Sequence, residues 1–424
     1  MAVYGATRAP YAGVVMRAPR RAKLMATLFA AQVCASSGHS MSLAVGAIMA
    51  ATITGTNTWS GLPVAVGALG AACASWPLAR LMARSGRRPG LALGYAISVV
   101  GAALGVIGVM IASFATLLVG MTLFGAAQSS NLLARYAAAD VTPDAQRGRA
   151  MGLIVWGSAL GSVIGPNLMG PALVVGGALG VSPTASAFLI SVAGYALAAL
   201  LVQAFLRPDP LAIAREMDRA AAARPGARAR TLREALADAR VQIAFATLAI
   251  SQFVMIATTS TSPVYLHDQG HTVQTIGLAV SLHLGGMYVT SPLSGWLSDR
   301  FGRLPMIVLG ALVLIGAVIL AGLVPGSARA LIILALFVNG VGWNLAFVAG
   351  SALLTDALSP AERASIQGFA DLVLGMMGAI GSTAGGMILG VWGFAILNAV
   401  GAALVLGPLA ATLLRRPALR PRPS

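Results

Sequence analysis

Apolar stretches of about 20 residues recur along almost the whole chain, and this feature constrains the fold most. A helix of that length crosses the hydrocarbon core of a bilayer, where the backbone polar groups must be satisfied within the segment. We therefore predict an all-α polytopic membrane protein with twelve transmembrane helices. The predicted spans are 24–53, 60–83, 89–111, 113–138, 150–175, 185–206, 241–266, 273–298, 305–324, 329–355, 365–389 and 392–414.

The composition supports a membrane protein. Hydrophobic residues make up 58% of the chain and charged residues 9%, and the mean hydropathy is +0.84. Soluble domains carry about 25% charged residues, and disordered chains lack this much apolar surface, so both classes are excluded. The formal net charge of +16 comes from short basic segments between apolar runs. A nucleic-acid partner would need a continuous basic face with aromatics, so we expect the lipid bilayer as partner instead.

The basic residues also predict the orientation. If both termini are cytoplasmic, every basic residue except Arg329 falls on the cytoplasmic side or in the cytoplasmic half of a span. Short Arg-rich loops stay on the cytoplasmic side of membranes. The basic N-terminus leads into an apolar run too long for the core of a signal peptide. We expect a multi-pass protein of a bacterial-type cytoplasmic (inner) membrane.

The two halves of the chain resemble each other at a constant offset of 216 residues. One offset that links two separate loops indicates a duplicated six-helix unit. We predict a first half (1–206), a cytoplasmic linker with an amphipathic helix (207–240) and a second half (241–424). The matched residues are Arg84, Gly86, Arg87, Pro89, Gly94, Asp140, Arg147 and Gly152 with Arg300, Gly302, Arg303, Pro305, Gly310, Asp356, Arg363 and Gly368.

The loop after the eighth span reads Gly295-Trp-Leu-Ser-Asp299-Arg300-Phe-Gly302-Arg303. It resembles the signature loop of the major facilitator superfamily, and the resemblance extends over the whole chain. The first-half copy has Ala83 where the family usually has Asp. The resemblance implies a secondary transporter rather than an enzyme, with no cofactor and a monomeric state. It also implies a central cavity formed largely by spans one, four, seven and ten, alternating access and proton coupling.

A carboxylate and guanidinium groups at a helix end can form charge-assisted bonds that hold one conformation and break in another. We interpret the two loops as gating elements, although the basic residues could serve only as anchors of orientation. The predicted gating residues are Asp299, Arg300, Gly302, Arg303, Arg84, Gly86 and Arg87.

Two ionisable residues inside predicted spans are candidates for proton coupling, because burying a charge in a membrane is costly. Arg135 lies near the cytoplasmic end of span four, where its side chain could also reach the interface. Asp371 lies inside span eleven. It could pair with an arginine across the interface of the halves or carry the coupling proton, and both interpretations stay open.

A possible substrate site lies near the bilayer centre. His39 and Met41 occur in span one, and His283 and Met287 lie four residues apart on one face of span eight, at a depth similar to Met255 in span seven. Imidazole and thioethers suit Cu(I), so these residues are candidates for substrate binding, and His283, Met287 and Met255 for metal binding. Methionine also commonly fills apolar cores.

The stretch from Ser262 to Pro292 resembles a bacterial branch of the superfamily that contains copper importers and riboflavin importers. Its copper members pair a Met-x-x-x-Met motif in span seven with His-x-x-x-Met in span eight. Here Met255 matches the first methionine, and Thr259 replaces the second. Uptake of a copper-like soft metal is the leading hypothesis. The alternatives are uptake of riboflavin or a related vitamin, proton-linked export of drugs or metabolites, and a non-transporting receptor or scaffold.

Overall fold

The computed structural model describes residues 18–55, 59, 62–221 and 230–415, and the regular structure in these ranges is helical, with no strand. This confirms the predicted all-α class. The α-helices are α1 (Ala18–Thr54), α2 (Leu62–Ser85), α3 (Arg87–Met110), α4 (Phe114–Asp140), α5 (Arg147–Asn167), α6 (Met169–Ala178), α7 (Pro183–Phe205), α8 (Pro210–Ala221), α9 (Leu232–Leu236), α10 (Ala239–Asp268), α11 (Val273–Tyr288), α12 (Ser291–Phe301), α13 (Arg303–Leu323), α14 (Arg329–Asp356) and α15 (Pro360–Arg415).

These helices account for the predicted spans. Helices α1 to α4 and α7 correspond to predicted spans one to four and six, and α5 with α6, bent by 52°, corresponds to the fifth. Helices α10, α13 and α14 form spans seven, nine and ten, and α11 with α12 forms the eighth. At 56 residues, α15 is too long for one span, and the non-helical φ of 81° at Gly393 divides it into spans eleven and twelve. Helices α1 and α15 begin six and five residues before the predicted starts.

Two sharp glycine turns mark the duplication. Gly86 ends α2 and begins α3 with φ of 99°, and Gly302 ends α12 and begins α13 with φ of 95°. Positive φ is readily accessible to glycine because it has no Cβ. The same turn therefore recurs at positions 216 residues apart, one in each six-helix repeat.

The two halves pack against each other at the end of the bundle that carries these turns, which we call the Arg-rich end. In the first contact, Gly148 and Gly152 of α5 lie so close to Gly295 and Ser291 of α12 that a Cβ would not fit. In the second contact, α2 packs on α15. Small residues allow such close approach of membrane helices. The described conformation is therefore closed at the Arg-rich end.

The linker adds a helix beneath this closed end. Helix α8 buries Leu211 and Ala214 and contacts α4 of the first half and α15 of the second. The guanidinium of Arg215 donates a hydrogen bond of 2.7 Å to the carbonyl oxygen of Ala83 at the end of α2. Further along, Thr231 and Glu234 form a reciprocal capping box that starts α9, and the hydrogen bonds from Thr231 lower the pKa of the Glu234 carboxyl.

Candidate functional site: a charged axis between the two halves

A buried ion pair joins the halves inside the bundle. Arg135 of α4 and Asp371 of α15 are each 1% exposed, and Arg135 Nη2 donates to Asp371 Oδ1 at 2.6 Å. The structure therefore brings together the two residues that the sequence singled out for their cost in a membrane. Helix α15 begins five residues before the predicted start of span eleven, which places Asp371 about 16 Å along that helix at 1.5 Å per residue.

This pair lies on the approximate two-fold axis that relates the repeats. Arg135 Nε donates to Ser351 Oγ at 3.1 Å, and these residues are separated by the repeat offset of 216. A residue that contacts its own repeat equivalent must lie close to the axis. The repeat equivalent of Asp371 is Val155, which is buried in an apolar cluster. The axis is therefore charged on one side and apolar on the other.

Aromatic rings surround the buried guanidinium. Arg135 lies over the ring of Tyr136 at 4.2 Å and over that of Phe347 at 4.4 Å. Phe347 stacks on Trp343 at 4.6 Å between ring centroids, and Trp343 Nε1 donates to Gln252 Oε1 at 2.8 Å. Cation–π contacts of this kind gain strength when they are desolvated. They stabilise the charge of Arg135 at a position that water does not reach.

Towards the Arg-rich end, two symmetric charge networks link the halves. In one, Asp140 accepts from Arg87 of its own half at 2.8 Å and from Arg363 of the other half at 3.4 Å. In the other, the repeat equivalent Asp356 accepts from Arg303 at 3.0 Å and from Arg147 at 2.9 Å. Each network crosses between the halves. The six residues of these networks are Arg87, Asp140, Arg363, Arg303, Asp356 and Arg147.

Asp299 of the signature loop makes an additional contact between the halves. Its carboxylate accepts from the backbone amides of Gly148 at 2.9 Å and Arg149 at 2.8 Å, in the first turn of α5. It also bonds the guanidinium of Arg303. Amides in a first helical turn have no partner within the helix and attract anions. A carboxylate of the second half thus caps a helix of the first.

The first-half loop uses different partners. Arg87, which is fully buried, donates from Nη2 to Gln367 Oε1 of α15 at 2.6 Å. The amides of Arg87 and Arg88, in the first turn of α3, donate to the carboxylate of Asp209 in the linker at 3.0 and 2.8 Å. Gly86 beside them has a φ of 99°, which strains any residue with a Cβ, and a Cβ here would also meet that carboxylate.

The remaining predicted gating arginines are more peripheral. Arg84 and Arg300 are both exposed. Arg300 lies near the rings of Trp296 and Phe301, at 5.7 and 5.9 Å from their centroids.

His283 of α11 is buried and held at both ring nitrogens. Nδ1 lies 2.9 Å from the carbonyl oxygen of Leu336, which can only accept, so Nδ1 carries the proton. In the neutral ring Nε2 then accepts from the hydroxyl of Thr259 at 3.2 Å. The residue that replaces the second methionine of the copper pattern is therefore the residue that occupies the free nitrogen of the histidine.

The other predicted substrate residues are placed as follows. Met255 and Met287 are buried in one apolar cluster with Trp343 and Phe347. His39 of α1 stacks on Phe124 at 5.3 Å, and its Nδ1 is buried with no partner in the described part of the chain. Met41 belongs to α1, but its side chain lies outside the described part of the structure. Across the described residues, no group of three or more His, Cys, Asp or Glu could hold a metal ion.

Comparison with known proteins identifies the family of this chain. The sequence profile of the Major Facilitator Superfamily matches residues 28–275 and 243–424. The chain belongs to the major facilitator superfamily. An uncharacterised MFS-type transporter of Bacillus subtilis, YddS, is 33% identical over 389 residues, which cover 91% of this chain and 88% of the relative. The riboflavin transporter RfnT of Brucella anthropi is 29% identical over 354 residues, with coverage of 81% and 83%.

Solved structures of this superfamily share the fold. A bacterial homologue of the iron transporter ferroportin, in its outward-facing state, has a TM-score of 0.73 with 14% identity, and 93% of this chain and 99% of that chain are covered. The proton:xylose symporter XylE has a TM-score of 0.73 with 14% identity and coverage of 96% and 97%. Membership of the superfamily makes the chain a multi-pass secondary transporter of a small solute. The solved structures share the twelve-helix fold that the sequence predicts.

Proposed function

We propose that this protein is a proton-linked importer of an organic solute of the riboflavin type in the cytoplasmic membrane. The Arg-rich end and both termini face the cytoplasm, and the monomer is the working unit. Residues 1–206 and 241–424 form the moving halves, with 207–240 as the linker. The observation that carries this proposal is the buried Arg135–Asp371 pair, since it lies where the halves must part.

The pair offers a way to couple a proton to that movement. In the described conformation the Arg-rich end is closed, so a solute can enter only from the opposite side. Opening the Arg-rich end separates α4 from α15 and pulls Arg135 away from Asp371. Breaking a buried pair leaves two uncompensated charges and is strongly unfavourable. A proton on Asp371 removes one of these charges and weakens the attraction, so protonation favours opening.

The substrate assignment rests on His283 and on the relatives. Thr259 occupies His283 Nε2, the nitrogen that a metal would need, and this favours an organic solute over copper. The riboflavin transporter aligns over 81% of this chain. The multidrug resistance protein MdtL of a Shewanella strain aligns over 24%, so riboflavin-type uptake has wider support than drug export. Copper uptake remains the alternative that experiment must separate from it.

Proton coupling is tested with purified protein in vesicles, using riboflavin as the solute. Asp371→Asn should abolish accumulation driven by a pH gradient while solute exchange at equal pH continues. Asp268→Asn, at the exposed end of α10, removes a charge outside the pair and should leave both rates unchanged. Loss of exchange together with gradient-driven uptake, at normal protein levels, would show that Asp371 is a structural partner only. Failure of wild-type protein to move any solute would favour a receptor or scaffold.

The copper alternative is tested at the methionine. Met287→Leu keeps nearly the same volume but removes the sulfur, so a riboflavin-type importer should retain full transport. A copper importer should lose metal accumulation with this variant or with His283→Ala, and Thr259→Met should strengthen it by adding a thioether. Cells that express each variant are assayed for riboflavin and copper content. Copper accumulation that depends on Met287 would overturn the riboflavin proposal.

A further inference from the structure

One buried asparagine of the second half differs from its neighbours in having no hydrogen-bond partner. Asn344 donates to the carbonyl of Met287 at 2.6 Å and to Ser291 Oγ at 2.7 Å. Asn398 accepts from Thr258 at 3.1 Å and donates to a backbone carbonyl at 2.8 Å. Asn339 is 1% exposed, and neither its amide nitrogen nor its amide oxygen has a partner among the residues that the structure describes. A buried amide left unpaired at both atoms is unfavourable and calls for an explanation.

The position of Asn339 points to the solute pathway. It lies ten residues into α14, about 15 Å from the helix end at 1.5 Å per residue, close to the bilayer centre. Residues four apart share a helix face, which places Asn339 between Ala335 and Trp343. Ala335 shares an apolar cluster with Ala257 of α10, and Trp343 bonds Gln252 of α10. Asn339 therefore lies on the face of α14 that packs against α10.

His283 lies close to the same level of the bundle. The carbonyl that fixes His283 Nδ1 belongs to Leu336, one helical turn before Asn339. The next residue of α14, Gly340, packs directly on the backbone of α11 at His283 and Met287. Three helices of the second half therefore converge near the unpaired amide. These helices also carry the indole of Trp343, the amide of Gln252 and the imidazole of His283.

We propose that Asn339 is a solute-binding residue that recognises a heterocycle with a ring N–H next to a carbonyl group. A carboxamide presents one donor and one acceptor side by side, so it pairs with such an edge through two hydrogen bonds, as Asn and Gln do with base edges. The imide of a flavin ring has this edge. The proposal rests on the proposed function and deepens it. In the described conformation α10 packs against α14 and the amide is unpaired. A movement of α10 relative to α14 within the second half exposes the amide to the solute.

A resident water molecule is the competing explanation, and stability separates the two. Replacing an unsatisfied polar group by an apolar group of similar shape is neutral or stabilising, whereas replacing a satisfied group is destabilising. Asn339→Leu should therefore leave the melting temperature of the purified protein unchanged or raise it. The matched control, Asn398→Leu, should lower it by several degrees because Thr258 loses its partner. An equal decrease for both variants would show that Asn339 is already satisfied and would overturn the proposal.

Ligand binding supplies the second measurement. Quenching of flavin fluorescence should show that Asn339→Leu binds riboflavin at least about tenfold more weakly than wild type. N3-methylriboflavin, which lacks the imide N–H, should bind wild type as weakly, with no further loss in the variant. Equal riboflavin affinity for wild type and variant would overturn the role of Asn339 and leave the proposed function standing. Absence of riboflavin binding to wild type would overturn the proposed substrate and the ligand class together.

Discussion

The two signature loops occupy equivalent places in the repeats, yet they hold the Arg-rich end together by different means. In the second half, Asp299 reaches across the interface and caps the first turn of α5. In the first half Ala83 stands at the equivalent position, and the carboxylate that caps a helix there, Asp209, comes from the linker and caps α3 of the same half. Only the second-half loop therefore contributes a carboxylate cap across the interface.

The starts of the two receiving helices explain this difference. Helix α5 begins at Arg147, so Gly148 and Arg149 lie in its first turn, where amides have no partner within the helix. Helix α15 begins at Pro360, three residues before the equivalent of Arg147. The equivalents of the two capped amides therefore lie in the second turn and bond within the helix. What the duplication preserves in both halves is the Arg–Asp–Arg network, because each network joins the halves by itself.

The largest difference between the loops should appear when these networks are broken. The Asp140 side chain is 0% exposed, whereas that of Asp356 is 26% exposed. Asp140→Asn leaves Arg87 buried without a carboxylate, which should destabilise the protein by about 3–5 kcal/mol. Asp356→Asn should cost about 1 kcal/mol, because Arg147 and Arg303 keep other partners and more solvent. Melting temperatures and membrane levels of both variants check this. Equal losses would show that burial does not distinguish the networks.

Removing the cross-interface cap should act on conformation rather than on insertion. Asp299→Asn keeps the size of the side chain but removes the charge-assisted bonds to α5, at a cost of about 1.5–3 kcal/mol. That energy shifts an equilibrium between closed and open forms by roughly ten- to a hundredfold. We expect impaired transport at a near-normal membrane level, measured as uptake per amount of protein. Wild-type uptake by Asp299→Asn would exclude a gating role for this carboxylate.

The linker cap should matter less. Asp209→Asn removes a negative charge from the first turn of α3 within one half, which should cost at most about 1 kcal/mol of stability. Because this bond does not cross the interface, the uptake rate should fall less than with Asp299→Asn, and the melting temperature should fall slightly. Both variants are compared in the same vesicles. An equal loss of transport would mean that the linker, through α8, acts as a gate of its own.

More of the fold than of the candidate site could be predicted from the sequence. Span positions follow from apolar length alone, and the offset of 216 identifies the repeats. The same offset pairs Arg135 with Ser351, but the contact between them, which places Arg135 near the axis, is visible only in the structure. Its bond to Asp371 joins residues 236 positions apart, and such a contact depends on how the halves pack. The capping role of Asp209 could not be predicted from the sequence, because it depends on which backbone amides the carboxylate contacts in the folded chain.

The contact of His283 with Thr259 shows the same limit. The departure from the copper pattern at Thr259 is visible in the sequence. That this hydroxyl bonds the histidine nitrogen is visible only in the structure. The unpaired amide of Asn339 gave no signal in the sequence, because an asparagine in an apolar run looks the same whether it is paired or not.

The smallest effect is expected from restoring the family residue in the first-half loop. Ala83→Asp gives this loop the carboxylate that the second-half loop has, so a purely sequence-based view predicts a tighter closed state. The structure predicts a change within about 0.5 kcal/mol. The amides of α15 that correspond to the capped amides of α5 are already bonded within the helix. Arg87, four residues after Ala83, already donates to Asp140 and Gln367. Uptake rate and melting temperature should therefore match wild type. A marked rise in melting temperature with slower uptake would show that α15 can accept a cap after all, and that the asymmetry of the loops arises from the missing carboxylate rather than from the helix start.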